Sequence, residues 1–143
     1  MSDVSKRKRN GKCLCGAVRV TATNSSDNIG ACHCSMCRQW GGGPFMETDC
    51  GTEVSIDGEE NVSVYDSSAW AERGFCAKCG THLFYRLKET GQHMMPVGLF
   101  DTDERMAFNS QVFIDEKPKF YEFSNDTTNM TGPEIFAKYG ASL

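Results

Sequence analysis

The residues most able to do chemistry in this chain are its cysteines. The run Ala31-Cys32-His33-Cys34-Ser35-Met36-Cys37-Arg38 sets three sulfurs within six residues. Cys13 and Cys15 form a C-x-C pair, Cys76 and Cys79 a C-x-x-C pair, and Cys50 stands alone. Disulfides between residues two or three apart are strained, so such tight clusters are poor disulfide material. They suit a metal, because zinc gathers thiolate sulfurs at about 2.3 Å in a tetrahedron. The opening residues, Met1 to Arg9, are basic with no apolar stretch behind them. They do not read as a secretory signal, so a cytoplasmic location, where thiols stay reduced, is expected.

The spacing predicts two kinds of site. Gly16 follows Cys15 and Gly80 follows Cys79. A turn that aims its N–H groups at a thiolate often needs positive φ, which glycine supplies. The two pairs thus read as knuckles that together make a closed, structural four-cysteine site of Cys13, Cys15, Cys76 and Cys79. Cys32, Cys34 and Cys37 have no partner pair. Three protein ligands with one open position are the pattern of a catalytic zinc. The alternative is a second closed site completed by Cys50 or a histidine.

The elements that must position these residues are mostly short strands. Alternation predicts strands over 17–21, 54–56 and 62–65, and further strands over 81–87, 93–100 and 111–114. Turn residues separate them at 24–27, 57–58, 89–91 and 116–118. Helix is confined to a turn near Arg38, a capped turn over 101–105, and a short terminal helix over 133–139 that ends at Gly140. Gly41-Gly42-Gly43 would let backbone pass close to a metal or ligand. Residues 1–9 read as a disordered basic tail and 10–143 as one domain.

Composition narrows the function classes. Fifteen Lys and Arg against nineteen Asp and Glu, a net charge of −4 in 143 residues, argue against a dedicated nucleic-acid binder. No apolar run approaches the roughly 18 residues of a membrane span. Around the three sulfurs, Arg38 is the best placed cation for an anionic ligand, while Arg73 and Arg86 read as surface cations. His33, between two ligands, is expected to point outward. His82 and His93 read as strand residues, and Trp40, Phe45 and Trp70 as core aromatics.

The order Cys13-x-Cys15-Gly16, Cys32-His33-Cys34-x-x-Cys37-Arg38, Phe75-Cys76-x-x-Cys79-Gly80-Thr81 resembles the glutathione-dependent formaldehyde-activating enzyme family, which shares its fold with centromere protein V. The likeness continues through Gly98-Leu99-Phe100-Asp101 and Phe113-Ile114-Asp115-Glu116-Lys117-Pro118. It implies a mainly β, Mss4-like fold of small antiparallel sheets organised around zinc sites, with few short helices. It also implies the same partition into a structural four-cysteine zinc and an open zinc on Cys32, Cys34 and Cys37, with Cys50 left as a free thiol. The implied activity is that of a carbon–sulfur lyase acting on an adduct of glutathione and formaldehyde. A thiol held as thiolate at neutral pH fits such a zinc. Three thiolates, however, make zinc a weaker Lewis acid than three histidines do. The rival readings are a non-catalytic zinc module, a zinc-ribbon chromatin partner and a thiol–disulfide oxidoreductase built on Cys76 and Cys79. No βαβ pattern surrounds that last motif.

Overall fold

A computed structural model describes residues 5–139 of the chain. The chain runs β1(Lys6–Lys12), β2(Arg19–Ser26), β3(Asn28–Cys32), α1(Ser35–Gly41), β4(Phe45–Gly51), β5(Val54–Asp57), β6(Val62–Tyr65), β7(Ala71–Cys76), β8(His82–Leu87), β9(His93–Pro96), β10(Ala107–Val112), β11(Thr128–Met130) and α2(Gly132–Tyr139). The fold is mainly β, as expected. A three-stranded antiparallel sheet, β1-β2-β5, faces an eight-stranded sheet ordered β11-β10-β3-β4-β9-β8-β7-β6. The larger sheet is antiparallel except at one end, where β10 runs parallel to both β3 and β11.

The core lies between the two sheets. Val18, Val20 and Ala22 meet Leu83, Phe84, Met95, Leu99 and Phe100 there, with Cys13, Cys50 and Cys76 in the same cluster. Successive strand residues point to opposite faces, so each central strand divides its side chains. Thr48 and Cys50 of β4 and Met95 of β9 are buried, while Phe45, Glu47 and Asp49 of β4 and Met94 of β9 line a cavity on the opposite face. The register agrees: Asp49 pairs with Met94, and Met94 with Tyr85. One sheet therefore covers the core with one face and carries a cavity on the other.

The disordered-tail expectation fails for Lys6–Arg9, which open β1. Arg9 is only 6% exposed. Its guanidinium donates to Asp27 at 2.7 Å, to the Ser26 carbonyl at 2.9 Å and to Asp103 at 3.0 Å. A charge run looks solvated when its partners lie far along the chain. Residues 1–4 of the expected tail, and the helix stop expected at Gly140, lie outside the described residues. The turn expected over 24–27 shrinks to Asp27, since β2 continues to Ser26. The turn expected at 101–105 centres on Asp103, whose carboxylate accepts the Arg105 N–H at 2.8 Å. Helix α2 starts on a capping box: the Glu134 N–H donates to Thr131 Oγ1, and the Thr131 N–H to Glu134 Oε1, which satisfies two exposed helix N–H donors.

Candidate functional site

Both knuckles form as their glycines predict. Gly16 and Gly80 take φ of 79° and 78°. The Gly16 N–H donates to the Cys13 carbonyl at 3.1 Å, and the Gly80 N–H to the Cys76 carbonyl at 2.7 Å. The Val18 N–H points at Cys13 Sγ from 3.3 Å. The four sulfurs of Cys13, Cys15, Cys76 and Cys79 lie within 4.8 Å of one another. Cys13 and Cys15 sulfurs are 3.6 Å apart, and Cys15 and Cys76 sulfurs 3.8 Å. Ligands about 2.3 Å from a tetrahedral ion stand about 3.8 Å from each other, so this group fits a metal. Thr81 binds the two knuckles together: its hydroxyl lies 3.1 Å from Cys79 Sγ and accepts the Leu14 N–H at 3.1 Å. This neighbour draws the Cys79 thiol down to about 5.

Cys32, Cys34 and Cys37 form the second group, again with sulfurs within 4.8 Å. Cys32 ends β3, while Cys34 caps α1 and accepts the Cys37 N–H on its sulfur at 3.4 Å. Hydrogen bonds from the Cys32 and Cys37 thiols pull Cys34 down to about 2, with the Cys37 N–H and the Arg73 charge adding to them. Cys34 and Cys37, together with burial, push Cys32 far up. Packed this closely, the sulfurs resist ionising together, and spreading charge over all three needs a cation among them. That donor set suits a soft divalent metal. Cys50 belongs to neither group. It is fully buried, 3.8 Å from Ser25 Oγ, and burial pushes its thiol up to about 12.

A cavity lies beside each group: one of about 520 Å³ meets the four-cysteine group at Cys13 alone, with Thr81, His82 and Leu99 in its wall, and the other takes in all three sulfurs of the second group. Cys32, Cys34 and Cys37 line a cavity of about 400 Å³. Phe45, Glu47 and Asp49 from β4, Arg73 from β7, Tyr85 from β8 and Phe136 from α2 complete much of its wall. Arg73 is 2% exposed and brings Nη2 to 3.6 Å from Cys37 Sγ, while its Nη1 has no acceptor. Its guanidinium carbon stands 5.0 Å from the ring centres of both Trp40 and Tyr85. Trp40 is in turn stacked on His82 at 3.7 Å. Glu47 has no hydrogen-bond partner among the described residues. Burial first, then Asp49 and Cys34, push its carboxyl up to about 8, against the pull of Arg73.

Several site expectations change. Arg38 does not line the cavity; its Nε donates to the His33 carbonyl at 2.9 Å. The cation at the sulfurs is Arg73, expected from sequence at the surface but 2% exposed. His33 points inward, fully buried, with Nε2 2.8 Å from Gln111 Oε1 and Nδ1 2.8 Å from the Tyr121 hydroxyl. The Gln111 amide nitrogen donates to Thr127, so its Oε1 is the acceptor and His33 carries its proton on Nε2. The glycine run is not an approach path either. A Cβ at Gly41, Gly42 or Gly43 would meet nothing within 4 Å, and Gly42, at φ 83°, simply closes α1. Phe45 and Trp70 line the cavity, whereas Trp40 does not. His82 and His93 do lie in strands. Glu47 had no local signal, because β4 buries Thr48 and Cys50 and turns Phe45, Glu47 and Asp49 to the cavity, so polar and apolar residues fall without a simple alternation.

Among the described residues, no helix is long and apolar enough to cross a membrane. A Schizosaccharomyces pombe protein named as an uncharacterized lyase is 38% identical over 126 residues, 87% of this chain and 92% of that protein. A Podospora anserina protein whose name carries the family description given below is 32% identical over 83 residues, and the matched part is 39% of its length. In fold, the chain is similar to a crystal structure of a Rhodobacter sphaeroides protein, with a TM-score of 0.56 at 23% identity over 67% of this chain and 92% of that one. Residues 8–116, from β1 through the last cavity carboxyl, match the family described as glutathione-dependent formaldehyde-activating enzyme, and the chain belongs to that family.

Proposed function

We propose that this protein forms or cleaves an adduct of a small thiol and an aldehyde, as a carbon–sulfur lyase, at Cys32, Cys34 and Cys37. Glutathione and formaldehyde are the pair that the family description names. The observation that carries the reading is the cavity that takes in all three sulfurs of the three-cysteine group together with Glu47 and Arg73; the cavity beside the other group is lined by Cys13 alone of its four cysteines and by no carboxyl. In this reading both groups hold zinc, structural on Cys13, Cys15, Cys76 and Cys79 and functional on the other three. Zinc on three thiolates would hold a substrate thiol as thiolate at neutral pH.

The chain's own residues supply the rest. As the new C–S bond forms, the π pair of the C=O bond moves onto oxygen, and the proton lost by the thiol must reach that oxygen. Glu47 is placed to carry it, since a carboxyl held near 8 gains and loses a proton easily at neutral pH. Arg73, with Nη1 lacking an acceptor, donates to the developing oxyanion. Its other arm, on Cys37, offsets part of the negative charge that weakens a three-thiolate metal. Arg38, expected to bind the cofactor's carboxylates, instead holds the His33 carbonyl and so the backbone between two ligands. Seven ligand thiols suit a reducing compartment, and the cytoplasm is the proposed location.

The test joins metal content to carbon-13 NMR of labelled formaldehyde with glutathione. The wild type should hold two zinc ions and speed exchange between the aldehyde and the hydroxymethyl thioether. Cys34→Ser should hold one zinc, keep its fold and lose the exchange. A protein with two zinc ions that neither binds nor turns over any small thiol would sink the proposal.

A further inference from the structure

The cavity over the three sulfurs has an aromatic wall that the addition chemistry leaves unused. Trp70, just before β7, Phe113, just after β10, and Ile135 and Phe136 of α2 all line it. Phe136 stands edge to face with both other rings, its centre 6.4 Å from Trp70 and 5.9 Å from Phe113. α2 lies beyond residues 8–116, the part of the chain that matches the family. This side of the cavity is therefore built partly from residues outside the shared pattern.

Local geometry holds the wall in place. Among the described residues, Phe113 is the one non-glycine with positive φ, at 55°, a conformation that a bulky side chain adopts only at a cost. Such strain persists where the surroundings enforce it, and it gathers at ligand sites. The Gly132 N–H donates to Asp115 Oδ1 at 2.8 Å, and a Cβ at Gly132 would collide with the Phe113 ring. α2 is thus seated directly on Phe113. Phe136 nevertheless stays 45% exposed while lining the cavity. Its ring stands at the opening, where a bound molecule would cover it.

The reactants named so far offer these rings nothing apolar to hold. Formaldehyde has a single carbon, and a molecule near the size of water fills only about 30 Å³ of a cavity of about 400 Å³. Glutathione brings its sulfur on otherwise polar arms. An apolar wall beside a few placed polar groups is the form of a site whose ligand has an apolar body. We infer that the aldehydes joined to glutathione here include those with an apolar chain, which lies against Trp70, Phe113 and Phe136. The inference rests on the thiol and aldehyde chemistry proposed above and names the class of aldehyde. The thiol, Glu47 and Arg73 keep their parts. The C–S bond forms, the C=O π pair moves onto oxygen, and the proton of the thiol reaches that oxygen. The product is a hemithioacetal, and no oxidant or reductant is needed.

The experiment is calorimetric titration of the zinc-loaded full chain with S-methyl-, S-butyl- and S-hexylglutathione. These thioethers are stable and differ in the chain alone, and the methyl compound carries the single carbon of formaldehyde. Each methylene taken out of water raises affinity about fourfold, so the hexyl compound should bind tighter than the methyl one by roughly tenfold or more. Phe136→Ala should cut that ratio severalfold, while Phe136→Leu, which keeps an apolar side chain, should retain most of it. Should the Ala variant not fold, Trp70→Leu makes the same comparison. In parallel, carbon-13 exchange with glutathione is followed for labelled hexanal and labelled formaldehyde, and the wild type should speed both. Equal affinities for the three thioethers, a ratio unmoved by the variants, or exchange of formaldehyde without hexanal would overturn the inference and leave the proposed chemistry standing. Exchange of neither aldehyde would overturn that chemistry and the inference with it.

Discussion

At the scale of single residues, Glu47 and Arg73 decide what the three-cysteine cluster can do. Both come from strands, and neither lies near a cysteine of that cluster in sequence. The Glu47 carboxyl, normally near 4.5, is pushed up to about 8 by burial and its acidic neighbours. Between those values the folded chain holds a proton there that the unfolded chain has lost. The contribution of Glu47 to stability is thus fully present below about 4.5 and is lost as pH rises through about 8. The stability gap in favour of Glu47→Gln over wild type should therefore widen across that interval and level off above it. Denaturant midpoints at a series of pH values check this. Both proteins keep the same thiols, so proton release on metal binding cancels in the difference. A gap independent of pH would show that Glu47 titrates normally.

At the scale of elements, β7 and β8 connect the two cysteine groups. β7 carries Arg73 toward Cys37 and ends at Cys76 of the other group, while β8 begins at His82, on which Trp40 of α1 is stacked. The pair is closely fitted at Gly74, where a Cβ would collide with the ring of Phe84. Phe84 is 1% exposed and has no room to withdraw. Gly74→Ala should destabilise the fold by about 1–3 kcal/mol, the usual cost of overpacking a core. Because Arg73 is the next residue, the substitution should also weaken thiol affinity, which a surface Gly→Ala change would not do. Thermal melts and thiol titrations of the same preparation measure both effects.

At the scale of the whole molecule, the four-cysteine group joins the entry to β2 with the turn between β7 and β8. Closing a long loop is where a covalent or metal clip constrains the unfolded chain most, and structural zinc contributes directly to folding. Cys76 is fully buried in the core cluster with Cys13. Cys76→Ser should therefore abolish cooperative unfolding, whereas Cys34→Ser, at the cavity, should preserve it. Graded chelation of the wild type should follow the same order, with the cavity metal removed before the fold is lost. Circular dichroism recorded alongside released zinc distinguishes this order from simultaneous loss, which would make both sites structural.

The amino-acid sequence by itself determined the grouping of the cysteines and the two knuckles. Those depend on residues two to six apart and on glycines at positive φ, and such local geometry is written in spacing. It also determined most strands that cover one face of the core, such as β5 and β6, where alternation is clear. Tertiary structure decided which cation meets the sulfurs, because Arg73 and Arg38 look alike until β7 is paired against β8. It turned His33 inward, since its partners Gln111 and Tyr121 lie 78 and 88 residues away. It drew Lys6–Arg9 into a sheet through Asp27 and Asp103. It also made β4 one wall of a cavity, a strand whose core face carries the polar Thr48 and whose cavity face mixes Phe45 with two carboxyls, which erases the alternation that would have announced it.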